Sequence, residues 1–162
     1  MNDVLILTTG GTIDKLYFDA LSSYQVGDTV VGRLLQTARV TMPYRIVELM
    51  WKDSLELTDA DRAIIAAAVA EVPERRIVIT HGTDTMTDTA RALAHVAGKT
   101  IVLVGALAPA RFAESDATFN LGMAFAAVQT AAPGVWIAMN GTMFNGARVR
   151  KDRSVNAFVA AD

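Results

Sequence analysis

The sequence predicts a three-layer α/β sandwich, with a mostly parallel sheet covered by helices on both faces. Three observations support this. Short runs rich in Val, Ile and Leu recur at residues 4–8, 45–49, 76–80, 100–104 and 135–139, with few polar interruptions. Strands of that composition are buried on both faces, as in a parallel sheet. Longer stretches with apolar residues at helical spacing separate most of them, and such alternation implies crossover connections. Several runs also end in Gly beside Thr, Ser or Asp, the chemistry expected where open α/β sheets bind small ligands. The arrangement is flavodoxin-like.

Taken in order, residues 4–8 form a first strand that runs into Thr9-Gly10-Gly11-Thr12. Residues 14–27 are polar, hold Tyr17 and Tyr24, and show no helical period, so they are expected to be an active-site lid loop. Residues 28–39 carry Val30, Val31, Leu34, Leu35 and Ala38 at helical spacing. Residues 45–49 make a second strand, and residues 50–57 a loop with Lys52, Asp53, Ser54 and Glu56. Thr58 is a good cap for an amphipathic helix over 59–71. Residues 76–80 make a third strand, broken by His81-Gly82, and Thr83 or Asp84 can cap a helix over 85–97. Residues 100–104 form a fourth strand ending in Gly105-Ala106, followed by a helix over 115–130. Residues 135–139 form a fifth strand, ending in Asn140-Gly141-Thr142. Asn145-Gly146 is a tight-turn signal expected to join 142–144 to 147–149 as a hairpin. Residues 152–162 carry little pattern.

The totals narrow the function. At 162 residues the chain is expected to be one domain, 1–162, with a substantial core. A formal charge of −2 leaves no electrostatic footprint for nucleic acid. The absence of cysteine removes disulfides, a thiolate nucleophile and Cys-ligated metal. Asp3 sits where the basic region of a signal peptide belongs, and the alanine-rich stretch 63–70 is too short to span a membrane. A cytoplasmic protein with no membrane partner is expected.

Motifs narrow it further. Gly10-Gly11 matches neither a dinucleotide fingerprint nor a P-loop. His81 and His95 lack a second ligand at metal spacing, so no metal is expected, and His81 fits a hydrogen-bonded structural imidazole. No G-x-S-x-G elbow is present. Hydroxyl chemistry remains: threonine becomes a nucleophile only when a neighbour takes its proton. Lys151 is a basic candidate, Asp84 can hold it or an ammonium group, and Tyr24 can serve Thr12. Each has a plainer explanation: Thr83 and Asp84 as helix caps, Ser54 as a turn residue, Tyr24 as packing, Lys151 as part of the solvated charge run 148–153.

The combination is more specific than its parts. The chain holds Thr9-Gly10-Gly11-Thr12-Ile13, Ser22-Ser23-Tyr24-Gln25-Val26-Gly27, Asp53-Ser54, His81-Gly82-Thr83-Asp84-Thr85-Met86, Val104-Gly105-Ala106, Phe119-Asn120-Leu121, and Asn145-Gly146 leading to Lys151. In that order and spacing it resembles the amino-terminal domain of bacterial-type L-asparaginases over nearly its whole length. The resemblance implies hydrolysis of L-asparagine to L-aspartate and ammonia through a threonine acyl-enzyme, without cofactor. It implies Thr12 as nucleophile assisted by Tyr24, and Thr83, Asp84 and Lys151 as a second catalytic group. Asp84 would pair with the substrate ammonium and Ser54 with its carboxylate. Ala106 would accept from the scissile amide; amide attack also needs N–H donors at the developing oxyanion, for which the backbone groups of Gly11 and Thr83 are the candidates. Leu55 and Ala108 depart from residues common in the family, which also usually continues into a carboxyl-terminal domain. A short single-domain form assembling as a homo-oligomer, dimer or tetramer, is therefore expected. The alternatives are a non-catalytic asparagine or aspartate sensor, and an amidase for a related amide such as D-asparagine or glutamine.

Overall fold

The structure, a computed structural model, describes residues 3–162. Its central sheet has six strands: β1 (Val4–Gly10), β4 (Tyr44–Lys52), β5 (Arg76–Thr80), β6 (Thr100–Val104), β7 (Gly134–Met139) and β8 (Thr142–Asn145). Their order is β4-β1-β5-β6-β7-β8. The first five are parallel and only β8 runs against its neighbour. The apolar runs are continuous because both faces are covered. Leu5, Leu7, Ile77, Ile79, Ile101 and Leu103 pack with Ile65 and Val69 of α2 (Asp59–Glu71) and Met86 and Ala90 of α3 (Met86–Ala92). Val4, Ile6, Val78, Val102 and Val104 pack with Val31 and Leu35 of α1 (Val31–Thr37) and Leu121, Ala124 and Phe125 of α4 (Ala117–Thr130). Burial of each such side chain contributes about 1.5–3 kcal/mol, which is why the sheet holds the rest in place.

Helix α2 has the expected bounds. Thr58 and Asp61 form a reciprocal capping box, the Asp61 amide donating to Thr58 Oγ1 and the Thr58 amide to Asp61 Oδ2. Two other helices are shorter than their periodicity suggests. The stretch 28–39 is helical only over α1, and 85–97 only over α3. After Ala92 the chain leaves in tight turns, with Ala94 N donating to Arg91 O and Val96 N to Leu93 O. Apolar spacing persists there because the turns still face the core, not because the helix continues.

Three expectations are corrected. Residues 14–27 are not an irregular loop: β2 (Lys15–Phe18) and β3 (Ser23–Val26) form an antiparallel hairpin with Tyr17 opposite Tyr24. Asn145-Gly146 does not close a hairpin. The two-residue turn is Asn140-Gly141, with φ of 52° and 66°, joining β7 to β8. That turn type needs positive φ at both positions. Asn145 instead takes the Ala147 amide on its side chain, and Gly146 N donates to Val135 O. The weakly patterned tail contains β10 (Ala157–Ala160), paired with β9 (Val149–Asp152). Val149 and Phe158 of this ribbon join the α2–α3 core, which fixes the ribbon near the sheet's carboxyl edge. Among the described residues no helix is long and apolar enough to cross a membrane.

Candidate functional site

Strands β1 and β5 are parallel neighbours with Thr8 opposite Thr80, so Thr9–Thr12 and His81–Thr83 leave the sheet side by side. Thr9 Oγ1 donates to Thr80 O at 2.7 Å. The junctions then touch through glycine. Gly11 has φ 90°, and a Cβ there would lie 2.4 Å from Gly82 N and 2.6 Å from Gly82 Cα. A Cβ on Gly82 would lie 2.5 Å from Ser54 Cβ. A side chain at Gly11 would push the two junctions apart, and one at Gly82 would push its turn away from Ser54. This contact brings Thr12, half-buried at the start of the 3-10 turn Thr12–Asp14, and Thr83, buried, to one end of the sheet.

Lys151 reaches this point from β9. Its Nζ donates to Thr83 Oγ1 at 2.8 Å and to Asp84 Oδ1 at 2.9 Å, and its side chain is only 13% exposed. Within the charge run 148–153, Arg148, Arg150 and Arg153 are exposed and Lys151 turns inward. Strand alternation places Arg150 and Lys151 on opposite faces. Arg153 Nη2 approaches Asp84 Oδ1 at 3.4 Å from the solvent side.

Ser54 is fully buried. Its Oγ accepts the amides of Asp84 and Thr85 at 3.0 and 3.2 Å, and its carbonyl accepts the Thr85 hydroxyl at 2.7 Å. The α3 amino terminus is therefore held by a residue 31 positions away; the expected Thr83 or Asp84 cap does not form, and Thr85 is the cap position. With both lone pairs engaged, Ser54 Oγ retains only its O–H as a donor. Ala106 is buried on the next connection. Asp116 takes the Leu107 and Ala108 amides, and Asn120 Nδ2 donates to Gly105 O at 3.0 Å. Asp116 was not apparent as a supporting residue in the sequence, where it reads as an ordinary helix-start carboxylate.

His81 is the expected structural imidazole. The Gly82 carbonyl can only accept, so Nδ1 carries the proton and donates to it at 2.6 Å. Nε2 then accepts from the Thr89 hydroxyl at 2.7 Å, and Arg62 Nε donates to Thr89 Oγ1 at 3.3 Å. Burial drops the His81 pKa to about 4, so the ring is neutral and rigid. Asp14, also buried, has no counterpart in the sequence reading. Burial lifts its pKa to about 6, against the pull of the Val30 amide, the Thr29 hydroxyl and Arg111, while Glu48 adds to the rise. Its Oδ1 accepts the Val30 amide at 2.9 Å.

Tyr24 stands on β3, 52% exposed, its ring edge-to-face with Tyr17 and Phe112. A polar cleft of about 410 Å³ runs beside it, lined by Lys15, Tyr24, Gln25, Trp51, Asp53 and Glu56 among others. Among the described residues no group of three or more His, Cys, Asp or Glu side chains is placed to hold a metal ion. Gly11, Ser54, Thr83, Asp84 and Lys151 thus form one connected cluster. Ala106 joins it through Gly105, where a Cβ would sit 3.3 Å from Thr83 Cγ2. Thr12 adjoins the cluster through Gly11, while Tyr24, on the hairpin, lines a cleft shared with Asp53, the neighbour of Ser54.

The chain is 32% identical over 167 residues to L-asparaginase from Thermococcus kodakarensis, covering 96% of this chain and 50% of that protein. It is 30% identical over 179 residues to the glutaminase-asparaginase of Acinetobacter glutaminasificans, covering 98% of this chain and 53% of that one. Its fold superposes on the solved thermostable L-asparaginase of Thermococcus kodakarensis with a TM-score of 0.84 at 29% identity, over 98% of this chain and 51% of that one. The chain therefore spans about half the length of the relatives it matches. The family described as "Asparaginase, N-terminal" matches residues 3–161, a span that takes in both threonine junctions and the strand carrying Lys151, and this chain belongs to it.

Proposed function

We propose that this protein hydrolyses the side-chain amide of L-asparagine, giving L-aspartate and ammonia through a threonine acyl-enzyme. One observation carries the proposal: Lys151 binds Thr83 and Asp84 at once, where the Gly11 and Gly82 turns touch. In this reading Thr12 Oγ attacks the carboxamide carbon, its proton passing to the Tyr24 oxygen as the Tyr24 O–H proton moves towards the amide nitrogen. Amide N–H groups of Gly11 and Thr83 receive the developing oxyanion, each such donor stabilising it by about 3–4 kcal/mol. The C–N bond breaks as the Tyr24 O–H proton reaches nitrogen, which leaves as ammonia, and Tyr24 keeps the proton taken from Thr12. Water positioned by Thr83 then attacks the ester, and Thr12 regains its proton as aspartate departs. Asp84 receives the substrate ammonium, and the Ser54 O–H its carboxylate.

The test is ammonia release from L-asparagine by the purified chain and by Thr12→Ala, alongside D-asparagine and L-glutamine. Activity lost in the variant with an unchanged circular dichroism spectrum supports the reading; retained activity removes Thr12 as nucleophile. No release by the wild type from any of the amides, with asparagine or aspartate still bound, favours a sensor. A second reading has Thr83 attacking first, favoured by the Lys151–Thr83 contact. Peptide mapping of a trapped acyl-enzyme separates the two. Assembly into a homo-oligomer, dimer or tetramer, is also proposed; exposed Ile64 on α2 and Phe119 on α4 offer apolar contacts on the two outer faces of the sandwich. A monomer in sedimentation at micromolar concentration counts against it.

A further inference from the structure

We propose that Arg111 and Phe112 are positioning residues that brace the β2–β3 hairpin and set where Tyr24 stands over the site. The role assigned to Tyr24 rests on the amidohydrolase reading; the brace itself rests on contacts.

The hairpin enters at Asp14-Lys15 and leaves at Gly27-Asp28. Arg111, on the connection after β6, spans both legs: Nη1 donates to Asp14 O at 2.9 Å and Nη2 to Asp28 O at 3.0 Å. A guanidinium offers a rigid planar fork of donors, whereas an ammonium is a single point on a flexible stem. The two legs are also tied to each other by Gly27 N donating to Asp14 O at 3.1 Å. Beneath them, Ala110 N donates to Ile13 O at 3.1 Å, and buried Ile13 packs with Ala106, Ala117 and Ala110. The next residue, Phe112, meets the Tyr24 ring with centroids 5.6 Å apart at 67°. Tyr17, opposite Tyr24 in the ribbon, meets the same ring at 5.4 Å and 62°. Such edge-to-face contacts fix a ring's direction beyond simple burial.

The pattern is not what a packing role alone would produce. Phe112, Tyr17 and Tyr24 remain 44%, 50% and 52% exposed, so the row excludes little water. Arg111 directs its donors to backbone carbonyls of both legs. The same connection presents Ala106, whose neighbours Leu107 and Gly105 are held by Asp116, at the start of α4, and by Asn120. One segment therefore positions both the proposed acceptor for the scissile amide and the proposed proton carrier.

The test uses the whole chain labelled with 3-fluorotyrosine, which gives three resonances, one each from Tyr17, Tyr24 and Tyr44. Tyr24→Phe assigns its signal. Arg111→Met, Arg111→Lys and Phe112→Leu are compared with wild type by 19F NMR and by kcat and KM for ammonia release. Expected is a displaced, sharpened Tyr24 resonance in all three, with Tyr44 unmoved. A loss of kcat of about 10- to 100-fold should accompany it, the scale of a misplaced group, with KM changed far less. Arg111→Lys should resemble Arg111→Met, because charge without the fork does not join the legs. A Tyr24 resonance unmoved in every variant overturns the brace. A moved resonance with kcat intact overturns the positioning role. Should the wild type release no ammonia, the amidohydrolase reading fails, and the resonance alone decides whether Arg111 and Phe112 hold Tyr24.

Discussion

Lys151 shows how a single side chain changes meaning with its surroundings. In the linear chain it is one cation among Arg148, Arg150 and Arg153, a pattern that ordinarily faces water. In the fold it is the only one of these four with its side chain turned inward, against a hydroxyl and a carboxylate 68 and 67 positions away. Lys151→Met keeps the stem and removes three donors. We expect about 100- to 10,000-fold lower kcat, the range for loss of a proton-transfer group, while Asp84 keeps its weaker contact with Arg153. Steady-state ammonia release checks this, and a kcat within a factor of a few of wild type would exclude Lys151 from the chemistry. Thr83 and Asp84 were legible from motif order. Arg111, Asp116 and Asp14 were not, because their residue types are commonplace and only their partners make them notable.

At the level of elements, the turn that carries Thr83 and Asp84 depends on a hydroxyl from elsewhere. Helix α3 is seven residues long, too short to be stable by propensity alone, and its first amides are held by Ser54. Ser54→Ala leaves buried N–H groups without an acceptor, which costs about 1–3 kcal/mol. Urea unfolding should show that loss, and ammonia release should fall further than stability accounts for, because the Asp84 backbone loses its anchor. A variant as stable as wild type would show that water replaces the hydroxyl. Strand positions were legible in the sequence because apolar runs report two-sided burial directly. The β2–β3 hairpin was missed: Lys15–Phe18 does not alternate, four residues of alternation in Ser23–Val26 are too short a signal, and an isolated pair is stable only against other structure. Here the braces from Asp14 and Arg111 supply that support.

Across the whole molecule, two buried groups give opposite pH dependences. Asp14 is raised from 3.8 to about 6, so its contribution to stability is full below pH 3.8 and is lost as pH rises through 6. His81 is lowered from 6.5 to about 4, so its contribution is full above pH 6.5 and is lost as pH falls through 4. Between about pH 4 and 6 the two slopes oppose each other, each worth on the order of 3 kcal/mol over its range. Asp14→Asn should therefore make stability rise with pH across that window, and His81→Gln should make it fall. Urea titrations at pH 4, 5 and 6 check both signs; parallel profiles for the two variants would contradict them. Composition and order along the chain were enough for the parallel sheet, its strand positions and the two threonine junctions, because burial on both faces and glycine turns leave local marks. Only the folded chain decided which ordinary residues meet. Lys151 with Thr83, Arg111 with both hairpin legs and Ser54 with the start of α3 are contacts across 30 to 97 positions. Their partners are selected by how the sheet and its crossovers bring distant segments together, and no local pattern encodes that choice.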